Sequence, residues 1–184
     1  MRVFAGVPVP PAAAAKLKRF TDPEIAGRLR LRGVPPVNLH CTLFFFGEVP
    51  DEDLADLCAA LDRIGGRVQP FTALFSGGIL FPTRNSFPRV AAVPCREGCE
   101  ALCSLHRNIG RETVRGGGDG ARFRPHITVA RISRRIRRDE LASLWTAASQ
   151  RSVTIPVDSF VLYRSVLHRS GASYDPLFTV ELGR

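Results

Sequence analysis

Two of the four histidines in this 184-residue chain occupy the same four-residue frame: His40-Cys41-Thr42-Leu43 and His126-Ile127-Thr128-Val129. Each frame holds a histidine, a threonine two places on, and an apolar fourth residue. With nine threonines in the chain, a given His has Thr two places on by chance roughly one time in twenty, so two such triplets from four His is a rare coincidence. A pair of imidazoles suits proton transfer in both directions. Near neutral pH one ring can be neutral and accept a proton while the other is charged and donates one. Two hydroxyls suit hydrogen bonding to the oxygens of a phosphodiester. Its single negative charge can be met by an Arg and a protonated His without a metal ion.

Such groups act together only if the backbone brings them together. "HCTLFFF" and "HITVARI" are short apolar runs rich in β-branched and aromatic residues, which predicts strands. Residues two apart on a strand share a face. His40 and Thr42 therefore point one way, and so do His126 and Thr128. Cys41, Leu43, Ile127 and Val129 point into the core. Phe44 and Phe46 share the parity of His40 and read mainly as core, with base stacking as the alternative.

The two frames belong to a longer repeat. His126 follows His40 by 86 positions (126 − 40), and "IPVDSFVLYRSV" at Ile155 follows "QPFTALFSGGIL" at Gln69 by the same offset (155 − 69). Each half reads strand, helix, His-x-Thr strand, helix, strand. The helix over 50–61 rests on Leu54, Leu57, Leu61 and Ile64 at three- and four-residue spacing, with Asp51, Glu52 and Asp53 at its start. A matching helix is expected over 137–148. The expected architecture is α+β: one domain over 1–184 with two pseudo-symmetric lobes, roughly 2–82 and 88–180. Each lobe is a small antiparallel sheet packed on helices. A pseudo-twofold axis would bring the two His/Thr faces together in a central cleft. Residues 81–88, "FPTRNSFP", form the connector.

Composition narrows the setting. The net charge is +9, from 26 basic and 17 acidic residues. All but Lys16 and Lys18 of the basic residues are Arg, a bias that a GC-rich genome explains, but the charge still favours a polyanionic partner. Five cysteines, an odd number, and no convincing signal peptide suggest a reducing, cytoplasmic setting. No stretch approaches a membrane span. Cys95, Cys99 and Cys103 are spaced by four but lack the paired Cys-x2-Cys spacing of zinc sites, so they read as core thiols and no metal is expected.

"NLHCTLFFFGEV", "RFRPHITVAR" and "LYRSVL", with the opening "RVFAGVPVP" and the connector "GGILFPTRNSFPRV", resemble the two-histidine phosphoesterases. The branch to which these motifs point is the RNA 2′,3′-cyclic phosphodiesterases, also called 2′-5′ RNA ligases. The resemblance covers nearly the whole chain. It implies a bilobal fold with the active site in the central cleft. It implies hydrolysis of an RNA terminal 2′,3′-cyclic phosphate to a 2′-phosphomonoester without metal or ATP. Separately, a monomer is expected, although the sequence by itself does not fix the oligomeric state. The resemblance further implies a weak reverse ligation to a 2′-5′ linkage, in which each His exchanges its proton role. By the same resemblance His40 is the proton donor to the leaving 3′ oxygen and His126 the proton acceptor from water. Thr42, Thr128 and Arg131 are implied phosphate ligands. Arg131 lies an odd number of residues from His126 and Thr128, so an ideal strand would turn it away; a bulge or the strand end would be needed to redirect it. Cys41 is a mild departure from the apolar residue expected there.

Other features carry less. "RGGGDGARFRP" (115–125) lacks the Lys-Ser/Thr of a phosphate-binding loop and reads as a hairpin loop, or a lid over the RNA end. "RISRRIRR" (131–138) is a basic face or an RNA-backbone contact. His106, on a predicted helix, and His168, in a predicted loop, read as structural or surface residues. Two other functions remain open at this point. One is phosphodiester hydrolysis on small nucleotide cyclic phosphates or 2′-5′ oligonucleotides. The other is a non-catalytic RNA-binding module using the same cleft.

Overall fold

A computed structural model describes residues 1–18, 31–83, 87–113, 123–132, 136–139, 141–142, 145, 152–168 and 171–184. The strands are β1 (Arg2–Pro8), β2 (Leu31–Gly33), β3 (His40–Glu48), β4 (Phe71–Ser76), β5 (Ile79–Phe81), β6 (Val90–Glu97), β7 (His126–Ile132), β8 (Ser152–Val157), β9 (Ser159–His168) and β10 (Gly171–Glu181). The helices are α1 (Pro11–Lys18), α2 (Leu54–Gly66) and α3 (Cys99–Thr113). The helix expected over 137–148 is present where it is described, at residues 138–139, 141–142 and 145.

The strands run in the order β10-β9-β1-β3-β7-β6-β4-β8, with β2 added beside β7 and β5 beside β6. All pairings are antiparallel. The α+β fold expected from the sequence is the fold observed. The sequence halves and the spatial halves exchange strands, however. β9 and β10 from the second half lie beside β1, and β4 from the first half lies between β6 and β8. Each His strand therefore keeps its own first strand as neighbour, β1 for β3 and β6 for β7, while the outer strands cross over. The halves meet where Cys41 of β3 pairs with Ile127 of β7. Beyond that point β7 pairs with β2 instead, at Ala130–Ile132.

One face of this sheet is apolar because alternate residues of the central strands are. Val3, Ala5 and Val7 of β1, Cys41 of β3, Ala91 and Val93 of β6 and Ile127 of β7 are buried together. Helices α2 and α3 pack against each other, and against β10 and β3 respectively. α3 contributes Leu102, Leu105 and Ile109, spaced by three and four, and each is at most 1% exposed. Burying one such side chain contributes about 1.5–3 kcal/mol. In α2, Leu61 and Ile64 are fully buried, while Leu54 and Leu57 pack partly against the core. With helices on the apolar face, the opposite face of β3 and β7 is left to form the cleft.

Candidate active site

His40 and His126 each open their strand. In both, Nδ1 lies 2.7 Å from the carbonyl oxygen two residues back, Asn38 for His40 and Arg124 for His126. A carbonyl can only accept, so each Nδ1 is the donor. The proton-exchanging position of both rings is thereby Nε2. The Cys41–Ile127 pairing, extended one residue each way in an antiparallel ladder, sets His40 across from Thr128 and Thr42 across from His126. His40, Thr42, His126, Thr128 and Arg131 all line one cavity of about 390 Å³.

Arg131 reaches this cavity through a bulge. Along the β6–β7 ladder Thr128 pairs with Ala92 and Ala130 with Ala91, so Val129 is the extra residue. Val129 and Ala130 are both buried, and the strand's parity reverses after them. The first half does the same thing. Thr42 pairs with Gly6 and Phe44 with Ala5, which leaves Leu43 as the extra residue. The expected parity of the phenylalanines is thereby corrected: Phe44 is buried at 4% exposure, and Phe45 is 58% exposed. Phe45 lines the cavity. Phe45 and Arg131 are themselves 86 positions apart (131 − 45), so the two bulges present one aromatic ring and one guanidinium in corresponding places.

Three further groups came from outside the motifs. Tyr174 of β10 and His168 of β9 line the cavity, as does Ser173, whose Oγ lies 3.0 Å from His168 Nε2. His168 is thus a strand-end residue at the cavity, not the loop residue expected. The Asn38 side-chain amide donates to the Ala172 carbonyl at 3.0 Å, tying the His40 approach segment to the β9–β10 hairpin. No local pattern announces Tyr174 or His168, because they arrive through the strand crossover.

The two imidazoles have different surroundings. His40 is packed by Phe4 at 4.9 Å between ring centroids and edge-on by Tyr174 at 5.1 Å. Gly6 lies beneath it, where a Cβ would come within 3.2 Å of both the His40 ring and the Cys41 carbonyl oxygen. Burial pushes the His40 imidazole down from 6.5 to about 4; the bond to the Asn38 carbonyl opposes this, and the nearby His126 and Arg131 charges lower it further. His126 is also lowered by burial, against the bond to the Arg124 carbonyl. Its described ring neighbour is Phe81, at 4.6 Å.

The remaining candidates lie elsewhere. His106 stands on α3, its Nδ1 2.7 Å from the Leu43 carbonyl oxygen and its ring stacked on Phe123 at 4.1 Å. All five cysteines are free. The Cys41 thiol is buried and pushed up to about 12, chiefly by desolvation. Among the described residues no group of three or more His, Cys, Asp or Glu converges as a metal site, and no helix is long and apolar enough to cross a membrane. In the basic tract, Arg137 pairs with Asp139 at 3.2 Å and Arg138 donates to the Leu80 and Pro82 carbonyls. Those two arginines hold the fold locally. Arg134, Arg135 and most of the 115–125 loop lie outside the described residues.

A curled antiparallel sheet carrying two His-x-Thr strands in one cleft defines a phosphoesterase-like fold. The family model of the 2′-5′ RNA ligase superfamily matches residues 8–169, and the chain belongs to that superfamily. Its curated relatives include proteins named RNA 2′,3′-cyclic phosphodiesterase. That of Archaeoglobus fulgidus is 32% identical, covering 98% of this chain and all of the relative. That of Thermus thermophilus is 32% identical, covering 98% of this chain and 87% of the relative. Among solved structures, TT0787 of Thermus thermophilus superposes with a TM-score of 0.78 at 30% identity, over 100% of this chain and 98% of that one. E. coli LigT complexed with 3′-AMP shares the fold, with a TM-score of 0.79 at 24% identity over 100% of this chain and 98% of that one.

Proposed function

We propose that this chain hydrolyses the 2′,3′-cyclic phosphate at an RNA 3′ end to a 2′-phosphomonoester by paired-histidine acid–base catalysis. The observation that carries the reading is the convergence of both His/Thr pairs on one cavity, each imidazole anchored through Nδ1. The names of the relatives support the substrate class. In this reading Thr42, Thr128 and Arg131 hold the non-bridging phosphate oxygens. His126 Nε2 takes the proton of the attacking water, and His40 Nε2 gives a proton to the departing O3′. Phe45 offers a ring on which the terminal base stacks. The five free thiols fit a reducing, cytoplasmic location.

The donor role has a physical condition. With its imidazole held near pKa 4, His40 carries no proton at neutral pH in the protein by itself. An anionic phosphodiester among Thr42, Thr128 and Arg131 adds the negative charge that favours an imidazolium. Substrate binding then supplies the acid. Ligation to a 2′-5′ linkage follows from the same step with a 5′-hydroxyl in place of water. Written atom by atom, both histidines then keep their hydrolytic roles. Exchange of roles belongs to cleavage of a 2′-5′ linkage back to the cyclic phosphate, which corrects the expectation for ligation.

The test is product mapping with chelator-treated protein on three substrates: a cyclic-phosphate-ended RNA, a cyclic mononucleotide and a 2′-5′ dimer. The expected result is a 2′-phosphate end on the RNA, at a rate unaffected by excess chelator. Binding without turnover, a 3′-phosphate product, or restoration of activity only by added divalent ion would contradict it.

A further inference from the structure

A single phosphodiester does not use up the positive charge of the central cavity. Arg32 of β2 and Arg131 of β7 are direct partners across the β2–β7 ladder, and both line the cavity. Like charges directly opposite on paired strands destabilise the pair. Among the described residues no Asp or Glu lines the cavity, and neither arginine makes an ion pair. Arg131, with Thr42 and Thr128, answers the single charge of the reacting phosphate. Arg32 is left over, and it turns toward a different wall. Its guanidinium lies against Gly171 at the start of β10, where a Cβ would come within 3.0 Å of Nη2. The side chain absent at Gly171 leaves the guanidinium its place. Gly171 is the cross-strand partner of His168, and His168 Nε2 lies 3.0 Å from the Ser173 hydroxyl. When Nε2 carries the proton it donates to Oγ, and the Ser173 O–H is left free to donate. Arg32, His168 and Ser173 thus gather at the β9–β10 hairpin, where they line the cavity. A guanidinium, an imidazole and a hydroxyl are together a donor set for a phosphate.

On the phosphodiesterase reading, on which this inference rests, the terminal ribose carries the cyclic phosphate on O2′ and O3′ and the next phosphate of the strand on O5′. A volume of about 390 Å³ is that of a small-molecule site and holds one nucleotide, not a strand. A second anion in the same cavity therefore belongs to the same nucleotide. We infer that Arg32, His168 and Ser173 form a second phosphate subsite, which holds the O5′ phosphate joining the terminal nucleotide to the rest of the RNA. The subsite distinguishes an RNA end from a free nucleoside cyclic phosphate, which has a hydroxyl at O5′. It takes the place of the backbone contact expected of the 131–138 tract, where Arg137 and Arg138 are engaged locally.

The experiment compares two substrates that differ at O5′ alone. One is adenosine 2′,3′-cyclic phosphate with a free 5′-hydroxyl. The other carries a 5′-methylphosphate, which has the single charge of a strand phosphate. The readout is the ratio of their kcat/KM values for formation of the 2′-phosphate. The parent should favour the methylphosphate compound by about tenfold or more, chiefly through KM, as charge-assisted hydrogen bonds made alike in ground and transition states require. Arg32→Gln, at an exposed position, should bring the ratio near one. His168→Gln and Ser173→Ala should each lower it by a smaller factor, about threefold. Added salt should lower the parent's ratio and leave that of Arg32→Gln unmoved. Because the readout is a ratio, a partly active variant still reports. A parent ratio near one, or an Arg32→Gln ratio equal to the parent's, would overturn the subsite while leaving the phosphodiesterase reading standing. So would turnover of a cyclic-phosphate-ended RNA with neither small compound hydrolysed. Absence of hydrolysis on all three substrates would remove that reading and the inference together.

Discussion

His40 and His126 share a strand position, an Nδ1 anchor two residues back and a threonine partner, yet their surroundings have diverged. His40 sits over Gly6 and is closed in by Phe4 and Tyr174, with its basicity lowered to about 4 by that burial. His126 meets Phe81 on one side and an open cavity beside it. Duplicated backbone geometry thus fixes where the two nitrogens point. The packing behind them decides what each can do. His40 still lines the central cavity, and its packing by neighbouring rings lowers its basicity. On the proposed reading an arriving phosphate anion favours its charged form.

The comparison breaks most sharply at the histidines. His40→Ala and His126→Ala should each lower kcat on the cyclic phosphate by about 10²–10⁴-fold. The double variant should lose less than the product of the two, since the residues act as a unit. Steady-state kinetics on the three proteins checks this.

Where the halves remain alike, effects should be alike. Thr42 and Thr128 stand across from the opposite half's histidine, so Thr42→Ala and Thr128→Ala should cost similar factors, each about 10–100-fold, through one lost hydrogen bond to a charged group. Costs differing by more than tenfold would mean that the hydroxyls are as specialised as the imidazoles. Phe45 and Arg131 occupy corresponding places with different chemistry. Phe45→Ala should raise KM about tenfold for a cyclic mononucleotide, whereas Phe45→Trp should not, as stacking requires.

The pH dependence sharpens the comparison further. Both imidazoles are lowered below 6.5 in the protein by itself. The ratio kcat/KM reports the free protein, so it should decline once pH passes the higher of the two lowered values, below 6.5. Bound phosphate favours the charged form, so the bell in kcat should be centred at higher pH. A kcat optimum at or below that of kcat/KM would show that the substrate does not protonate the site. The smallest effect is on stability. The folded protein disfavours charged His40, so this contribution is present above pH 6.5 and is lost as pH falls from 6.5 toward 4. The slope is at most about 1.4 kcal/mol per pH unit for this group. Urea unfolding of the parent and His40→Gln at several pH values measures it, and the variant should show the flatter dependence.

Most of the central site is legible in residue order because it is local. The His-x-Thr frames, the 86-residue offset and strand parity together locate His40, Thr42, His126 and Thr128. Arg131 needed a bulge, and the burial of both Val129 and Ala130 supplies it. The same irregularity brings Phe45, rather than Phe44 or Phe46, to the cavity, while Phe44 is buried as its core reading expects. The repeat held the remedy, since Phe45 is the counterpart of Arg131. His168 and Tyr174 were hidden for a different reason. They enter through pairing of β9 with β1, strands far apart in sequence, and register across such a distance is decided by packing on both faces. The filled flank of His40 and the open flank of His126 were hidden likewise, because rings from several elements meet there.

The assignment of opposite roles to the two histidines is tested most directly by a leaving group that needs no proton. A nucleoside phosphodiester with a nitrophenolate leaving group is given to the parent, His40→Ala and His126→Ala, and kcat is compared with that on the cyclic phosphate. His40→Ala should recover most of its lost activity, because the acid it lacks is no longer required, while His126→Ala should remain slow for want of a base. Rescue of His126→Ala with His40→Ala still slow would reverse the roles and contradict the assignment of the ring-packed His40 as the acid.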